Sequence, residues 1–139
     1  MDSLQRFLDA QAPVYEDVCA ELRAGCKQSH WMWFIFPQLR GLGHSSMAQH
    51  YGIASRAEAL AYLQHPVLGA RLKECMALLL VHKDLSSEDI LGGIDAMKLR
   101  SCATLFAEVA PQEPVFKQVL DQFYFGQRCH RTVELLTRP

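Results

Sequence analysis

Apolar residues along this chain recur at intervals of three and four almost from one end to the other, the spacing of helices with one buried face rather than of strands. Leu4, Phe7 and Leu8 predict a first short helix behind Ser3, a residue suited to cap it. Pro13 fits the first turn of a second helix running to Ala24, with Val14, Val18 and Leu22 facing inward. Gly25 then stands where a left-handed C-terminal cap is wanted. A third, short helix starts after Ser29 and ends near Pro37, because proline cannot continue the hydrogen-bond ladder. Its residues 31–36 are apolar on every side, which predicts burial all round.

Residues 38–43 read as a loop closed by Gly41-Leu42-Gly43, after which Ser45 or Ser46 caps a short helix through Tyr51. Ser55-Arg56-Ala57-Glu58 has the reciprocal capping-box pattern, and the helix behind it stops at His65-Pro66. Pro66 opens a Leu- and Met-rich helix to His82. Ser86-Ser87-Glu88-Asp89 begins a helix of one or two turns that Gly92-Gly93 ends. Asp95 is read as the cap of a long helix to Ala110, which Pro111 stops; residues 114–124 and 130–136 complete the pattern. No stretch alternates with period two, and no Asn-Gly or Asp-Gly hairpin turn occurs. The expected fold is all-α: one compact domain over residues 1–139, a bundle of about seven to nine short helices whose tight turns would allow solenoid-like stacking.

Composition agrees with a packed globule: half the residues are hydrophobic and 21% are charged. At 139 residues there is one core and no room for a second. A net charge of −1, with acids and bases interleaved, supplies no global field toward nucleic acid or an anionic membrane, so neither is an expected partner. The longest apolar runs, 31–37 and 76–81, are too short to span a bilayer, and the opening Met-Asp-Ser-Leu-Gln-Arg lacks the pattern of a signal peptide. Five cysteines at wide spacing suit free thiols better than a disulfide framework, so the expected compartment is the reducing cytoplasm.

The run Gly25-Cys26-Lys27-Gln28-Ser29-His30-Trp31-Met32-Trp33-Phe34-Ile35-Phe36-Pro37-Gln38 carries a family resemblance. Gly41-Leu42-Gly43, Tyr51-Gly52-Ile53, Glu58-Ala59, Tyr62-Leu63 and His65-Pro66 extend it, as do Leu68-Gly69, Arg71-Leu72, Asp95, Lys98 and Thr104-Leu105-Phe106. With these, essentially the whole chain resembles the family catalogued as domain of unknown function 1810. The resemblance implies a compact α-helical bundle with a faint likeness to armadillo stacking, and no agreed activity. The calpastatin label borne by some members belongs to a disordered inhibitor, whereas this chain has a globule's composition. Two residues depart from the family pattern: Cys102 where serine is expected and Cys129 where aspartate is.

Three places carry candidate chemistry, each with a purely structural alternative. His30, Trp31, Trp33 and Gln38 combine a group that titrates near neutrality with indoles that can stack a planar ligand; packed inward, the same side chains would simply fill the core. Arg40-Gly41-Leu42-Gly43-His44-Ser45-Ser46 can turn amides, a guanidinium and the positive end of the following helix toward an anion, or serve as a plain loop with glycine turns. Asp95, Lys98, Ser101 and Thr104 share a drifting helix face, where a Ser–Lys pair would be a nucleophile and base if Lys98 lost its proton. Otherwise they are a cap, a snorkelling amine and two hydroxyls bonded back to the helix. No C-x-x-C, H-E-x-x-H or i,i+4 histidine pair suggests a metal, and no cofactor is implied.

Together these segments predict one electropositive cleft holding His30 and Lys98 as candidate catalytic groups. Lys27, Trp31, Trp33, Gln38, Arg40, Gly41, Gly43, Asp95, Ser101 and Thr104 are the candidate ligand contacts. The expected function is binding, or turnover, of a small anionic or nucleotide-like molecule. The alternative is a protein-interaction module without chemistry.

Overall fold

A computed structural model describes residues 3–137; the outermost residues of the predicted domain, 1–2 and 138–139, lie outside the described residues. The fold is all-α, as the spacing predicts. Ten helices occur among the described residues, more than the seven to nine expected: α1 (Gln5–Gln11), α2 (Tyr15–Ala24), α3 (Met32–Ile35), α4 (Ser46–Tyr51), α5 (Arg56–Gln64), α6 (Leu68–Leu80), α7 (Ser87–Leu91), α8 (Gly93–Val109), α9 (Pro114–Tyr124) and α10 (His130–Thr137). None is long and apolar enough to cross a membrane.

Local signals account for most boundaries. Gly25 takes φ 71° and its amide bonds back to Glu21 and Leu22, ending α2 as a left-handed cap does. The Ser45 hydroxyl accepts from the Ala48 amide, and Ser86 with Asp89 closes a complete capping box on α7. Three capping expectations are corrected. The Ser3 hydroxyl donates to Glu58 Oε2 at 2.7 Å and leaves α1 without a side-chain cap. Ser55 accepts the Glu58 amide, but the Glu58 carboxylate receives the Ala54 amide and Arg6 instead of closing the box. Asp95 lies inside the first turn of α8, which begins at Gly93 behind an uncapped Gly92.

Helix α8 is the hub, packing on α5, α7, α9 and α10, and residues 101–107 are buried without a break. An aromatic chain crosses the interior from Phe7 through Tyr62 (5.0 Å, edge-on) to Phe106 (5.7 Å) and Phe116 (5.4 Å). The polar groups it encloses are satisfied: Gln11 donates to the Phe34 carbonyl at 2.7 Å and to the Tyr62 hydroxyl at 3.0 Å, and accepts from Arg71. The turn from α5 into α6 requires Gly69, since a Cβ there would sit 1.9 Å from the Leu63 carbonyl oxygen.

Between α2 and α3 the backbone has no helix to satisfy it, and Glu21 takes that role. Its carboxylate accepts the Gln28 amide (2.6 Å), the Ser29 amide (3.0 Å), the Ser29 hydroxyl (2.6 Å) and the Trp31 indole N–H (2.9 Å). Partial burial pushes this carboxyl up, and the four donors outweigh it, bringing the group down to about 2 from 4.5. Because the native value is depressed, the stabilisation is complete above the ordinary glutamate range and is lost as pH falls toward about 2. Glu21→Gln is therefore expected to lower the urea midpoint at neutral pH, and its deficit relative to wild type to shrink as pH drops through that window. Trp31 is 1% exposed, and Trp31→Ala should cost about 3–5 kcal/mol in the same assay.

Candidate functional site

The α3 segment is not buried all round. Trp31, Met32, Phe34, Ile35 and Phe36 enter the core, whereas His30 is exposed and Trp33 only half-buried. The physical reason is the Glu21 clamp: it holds the Trp31 indole, and Trp33, two residues on and so about half a helical turn away, lies on the outer side, against α8. There the Lys98 ammonium lies 5.0 Å from the Trp33 ring centroid, and Lys27 lies 5.1 Å from that of Trp31. Asp95 joins the two cations, at 3.0 Å from Lys27 and 3.5 Å from Lys98.

Trp33 and Ile94 form a common wall between two clefts. The smaller, about 410 Å³, holds Lys27, His30 and Asp95 beside Gly92 and Gly93. The larger, about 460 Å³, lies between the residue 42–45 turn, α8 and the start of α10. Its cations are Lys98, Arg100 and Arg131, and no aspartate or glutamate lines it. Arg100 rests 5.9 Å over the Tyr124 ring and forms no ion pair with a described residue. Leu42, Ile94 and Met97 supply an apolar side; Ile94 and Met97 are 75% and 72% exposed.

Of the sequence-predicted residues, the larger cleft brings together Trp33, Gln38, Gly43, Lys98 and Ser101. His30, Lys27 and Asp95 line the smaller one, so His30 and Lys98 do not share a cleft; the Trp33 ring separates them. Trp31 is withdrawn into the core. Arg40 is held elsewhere, its guanidinium donating to the Gln49 and Gly52 carbonyls at 3.3 and 3.1 Å where α4 ends. Gly41, at φ 105°, faces Leu135 rather than the cleft. Thr104 is fully buried and structural: it donates to the Arg100 carbonyl at 2.7 Å and accepts the Cys129 amide at 2.9 Å. No Ser–Lys pair forms. The Lys98 amine is committed to Asp95 and the Trp33 face, while the Ser101 hydroxyl reaches the Met97 carbonyl and Cys129 Sγ, each at 3.3 Å.

His44 and Ser45 of the Arg40–Ser46 run line the larger cleft, as do Arg100, Arg131 and Cys129, which sequence reasoning did not select as ligand contacts. Arg100 reads as one more charge on an amphipathic helix. Cys129 had a usable signal, since it immediately precedes α10 and departs from an expected aspartate. The structure explains that aspartate: residue 129 immediately precedes α10 and holds its N-cap position, where a side-chain acceptor serves the free amides of the first turn. Half-burial pushes the Cys129 thiol up, but the donors around the sulfur, the Ser101 hydroxyl first, outweigh it and leave it below the ordinary cysteine value. Cys102, in the position expected to be serine, is fully buried, and burial drives its thiol well up.

A family model described as Protein of unknown function (DUF1810) matches residues 1–136. The chain belongs to the DUF1810 family. Among solved structures, this DUF1810 member is similar to the conserved hypothetical protein Rv1873 from Mycobacterium tuberculosis, with 51% identity and a TM-score of 0.96 over 98% of this chain and 97% of that one. A comparison with curated proteins finds no match.

The capping role of residue 129 is open to measurement. Cys129→Ala is expected to lose about 0.5–2 kcal/mol of stability at neutral pH, and Cys129→Asp to regain it. Equal urea midpoints for wild type and the alanine variant would show that the sulfur does not cap α10.

Proposed function

We propose that this protein binds a small anionic molecule with a planar or apolar body in the cleft between the 42–45 turn, α8 and α10. The observation that carries the reading is the cleft's charge: three cations and no carboxylate line it, in a chain of net charge −1. The nearby acids are engaged with bases, Asp95 with Lys27 and Lys98, Glu108 with Arg128 at 2.6 Å, and Glu134 with Arg131 at 3.4 Å. A volume of about 460 Å³ lies within the range of small-molecule sites. The half-buried Trp33 indole supplies a surface for a ring, and Arg100 and Arg131 supply forked donors for a phosphate or carboxylate. Five free thiols support placing this activity in the cytoplasm.

A second reading, an interaction module without chemistry, is favoured by Ile94, Met97 and Phe125, which stand 75%, 72% and 95% exposed. The two readings diverge in a thermal-shift and fluorescence titration. Nucleoside monophosphates and aromatic carboxylates are expected to raise the melting midpoint and perturb Trp33 emission, while the matched neutral nucleosides do neither. Arg100→Ala and Arg131→Ala should each weaken binding about tenfold, the loss expected for one charge-assisted hydrogen bond of about 1.5 kcal/mol or more. No response to any anion, or a response unchanged in both arginine variants, would remove the anion reading and leave the interaction module.

A further inference from the structure

We propose that Cys129 is a covalent modification site: a nucleophilic thiolate that reacts with soft electrophiles carrying a carboxylate or phosphate. The preference for an anionic reagent rests on the proposed anion-binding cleft, whereas the nucleophilicity rests on the sulfur's own surroundings.

Those surroundings are donors. The Ser101 hydroxyl donates to Sγ at 3.3 Å, and the sulfur stands at the N-terminus of α10, where free amides favour negative charge. The Thr132 hydroxyl, fully buried and without a partner at hydrogen-bond geometry, is turned the same way. A buried hydroxyl left unpaired is costly, and ionisation of the neighbouring sulfur would supply it with an acceptor. Ser101 has one proton and two acceptors, the Met97 carbonyl and Sγ, both at 3.3 Å. It can serve the carbonyl while the sulfur is a thiol and the sulfur once it is ionised. The position of Sγ is fixed by the Cys129 amide, anchored on the buried Thr104 hydroxyl at 2.9 Å.

The charges around the sulfur act in the same direction. Lys98 and Arg100 from α8 and Arg131 from α10 line the same cleft as the sulfur, and His44 comes from the turn before α4. No carboxylate lines that cleft; Lys98 and Arg131 pair outside it with Asp95 and Glu134, and Arg100 forms no ion pair with a described residue. The other four cysteines differ. Cys19, Cys75 and Cys102 are buried, and burial raises Cys75 to about 12 and Cys102 well above its usual value. Cys26 is exposed and lies outside the cleft, which makes it an internal reference.

The chemistry is a substitution in which the Cys129 proton has already passed to solvent. The sulfur lone pair forms a bond to the electrophilic carbon, and the bond from that carbon to its leaving group breaks with both electrons going to the leaving group. With iodoacetate the products are S-carboxymethylcysteine and iodide.

Alkylation of the native full chain by iodoacetamide and by iodoacetate, followed between about pH 5.5 and about pH 9 with peptide mass spectrometry, compares Cys129 with Cys26 in the same tube. The iodoacetamide rate at Cys129 is expected to keep its plateau to a lower pH than the rate at Cys26 does. The ratio of iodoacetate to iodoacetamide rates should be several-fold higher at Cys129 than at Cys26. Ser101→Ala, with its helical dichroism intact, should move the Cys129 midpoint upward. An unreactive Cys129, or a midpoint at or above that of Cys26, overturns the proposal whatever the anion titrations show. A low midpoint with equal reagent ratios upholds the nucleophile and overturns its preference for anions, and with it the cleft reading.

Discussion

Much of this fold's local order depends on one carboxylate. Glu21 stands near the end of α2, where the chain leaves the helix through a left-handed glycine and must cross seven residues before α3 begins. A loop of that kind carries amides that need partners, and Glu21 supplies oxygens to two of them, to a hydroxyl and to an indole. The indole bond has the widest structural effect. It sets Trp31 inward, which sets Trp33 outward, and the outward indole becomes the wall that divides the two clefts. The same loop carries Lys27, whose amide donates to the Ile90 carbonyl at 2.8 Å and whose ammonium meets Asp95. One side chain therefore ties α2 to α3, and through Lys27 to the start of α8.

The electrostatics follow from this tethering rather than from composition. A net charge of −1 leaves no global field, and the interleaving of acids and bases along the chain suggests none locally. Folding sorts them. Asp95 is drawn between Lys27 and Lys98, and Glu108 pairs with Arg128, so the acids near the larger cleft are occupied while Arg100 keeps no carboxylate partner among the described residues. A field confined to a cleft with apolar walls is screened less than one on an open surface, so three cations there count for more than their share of the total.

What the sequence made legible was what neighbouring residues decide among themselves. Gly25, Ser45, the Ser86–Asp89 box and Pro114 each sit within a few residues of the groups they serve, and the structure places them as expected. Several misassigned positions have partners outside their own element. Ser3 and Arg6 reach Glu58 across more than fifty residues and break a capping box that local pattern had completed. Arg40, which local pattern offered to an anion, is claimed by carbonyls at the end of α4. The candidate site was half visible for the same reason. Trp33, Lys98 and Ser101 announced themselves by type, whereas Arg100, Arg131 and Cys129 become neighbours only when α10 folds back on α8.

Residue 129 shows how a cap and a reactive group can be one requirement met by two residue types. An N-cap must offer electron pairs to free amides, and a negative charge there gains further from the helix dipole. Aspartate meets both conditions at any pH near neutrality. Cysteine meets them fully only when ionised, so the amides and hydroxyls that would bind a carboxylate instead draw the proton off sulfur. The sign follows from linkage: the native thiol is depressed, so its contribution to stability is complete above the ordinary cysteine range and fades as pH falls through the native value. Alkylation of the sulfur removes the thiolate altogether. A change of residue type that looks like the loss of an acid thus makes the N-terminus of α10 depend on the ionisation of a thiol that opens into a cationic cleft.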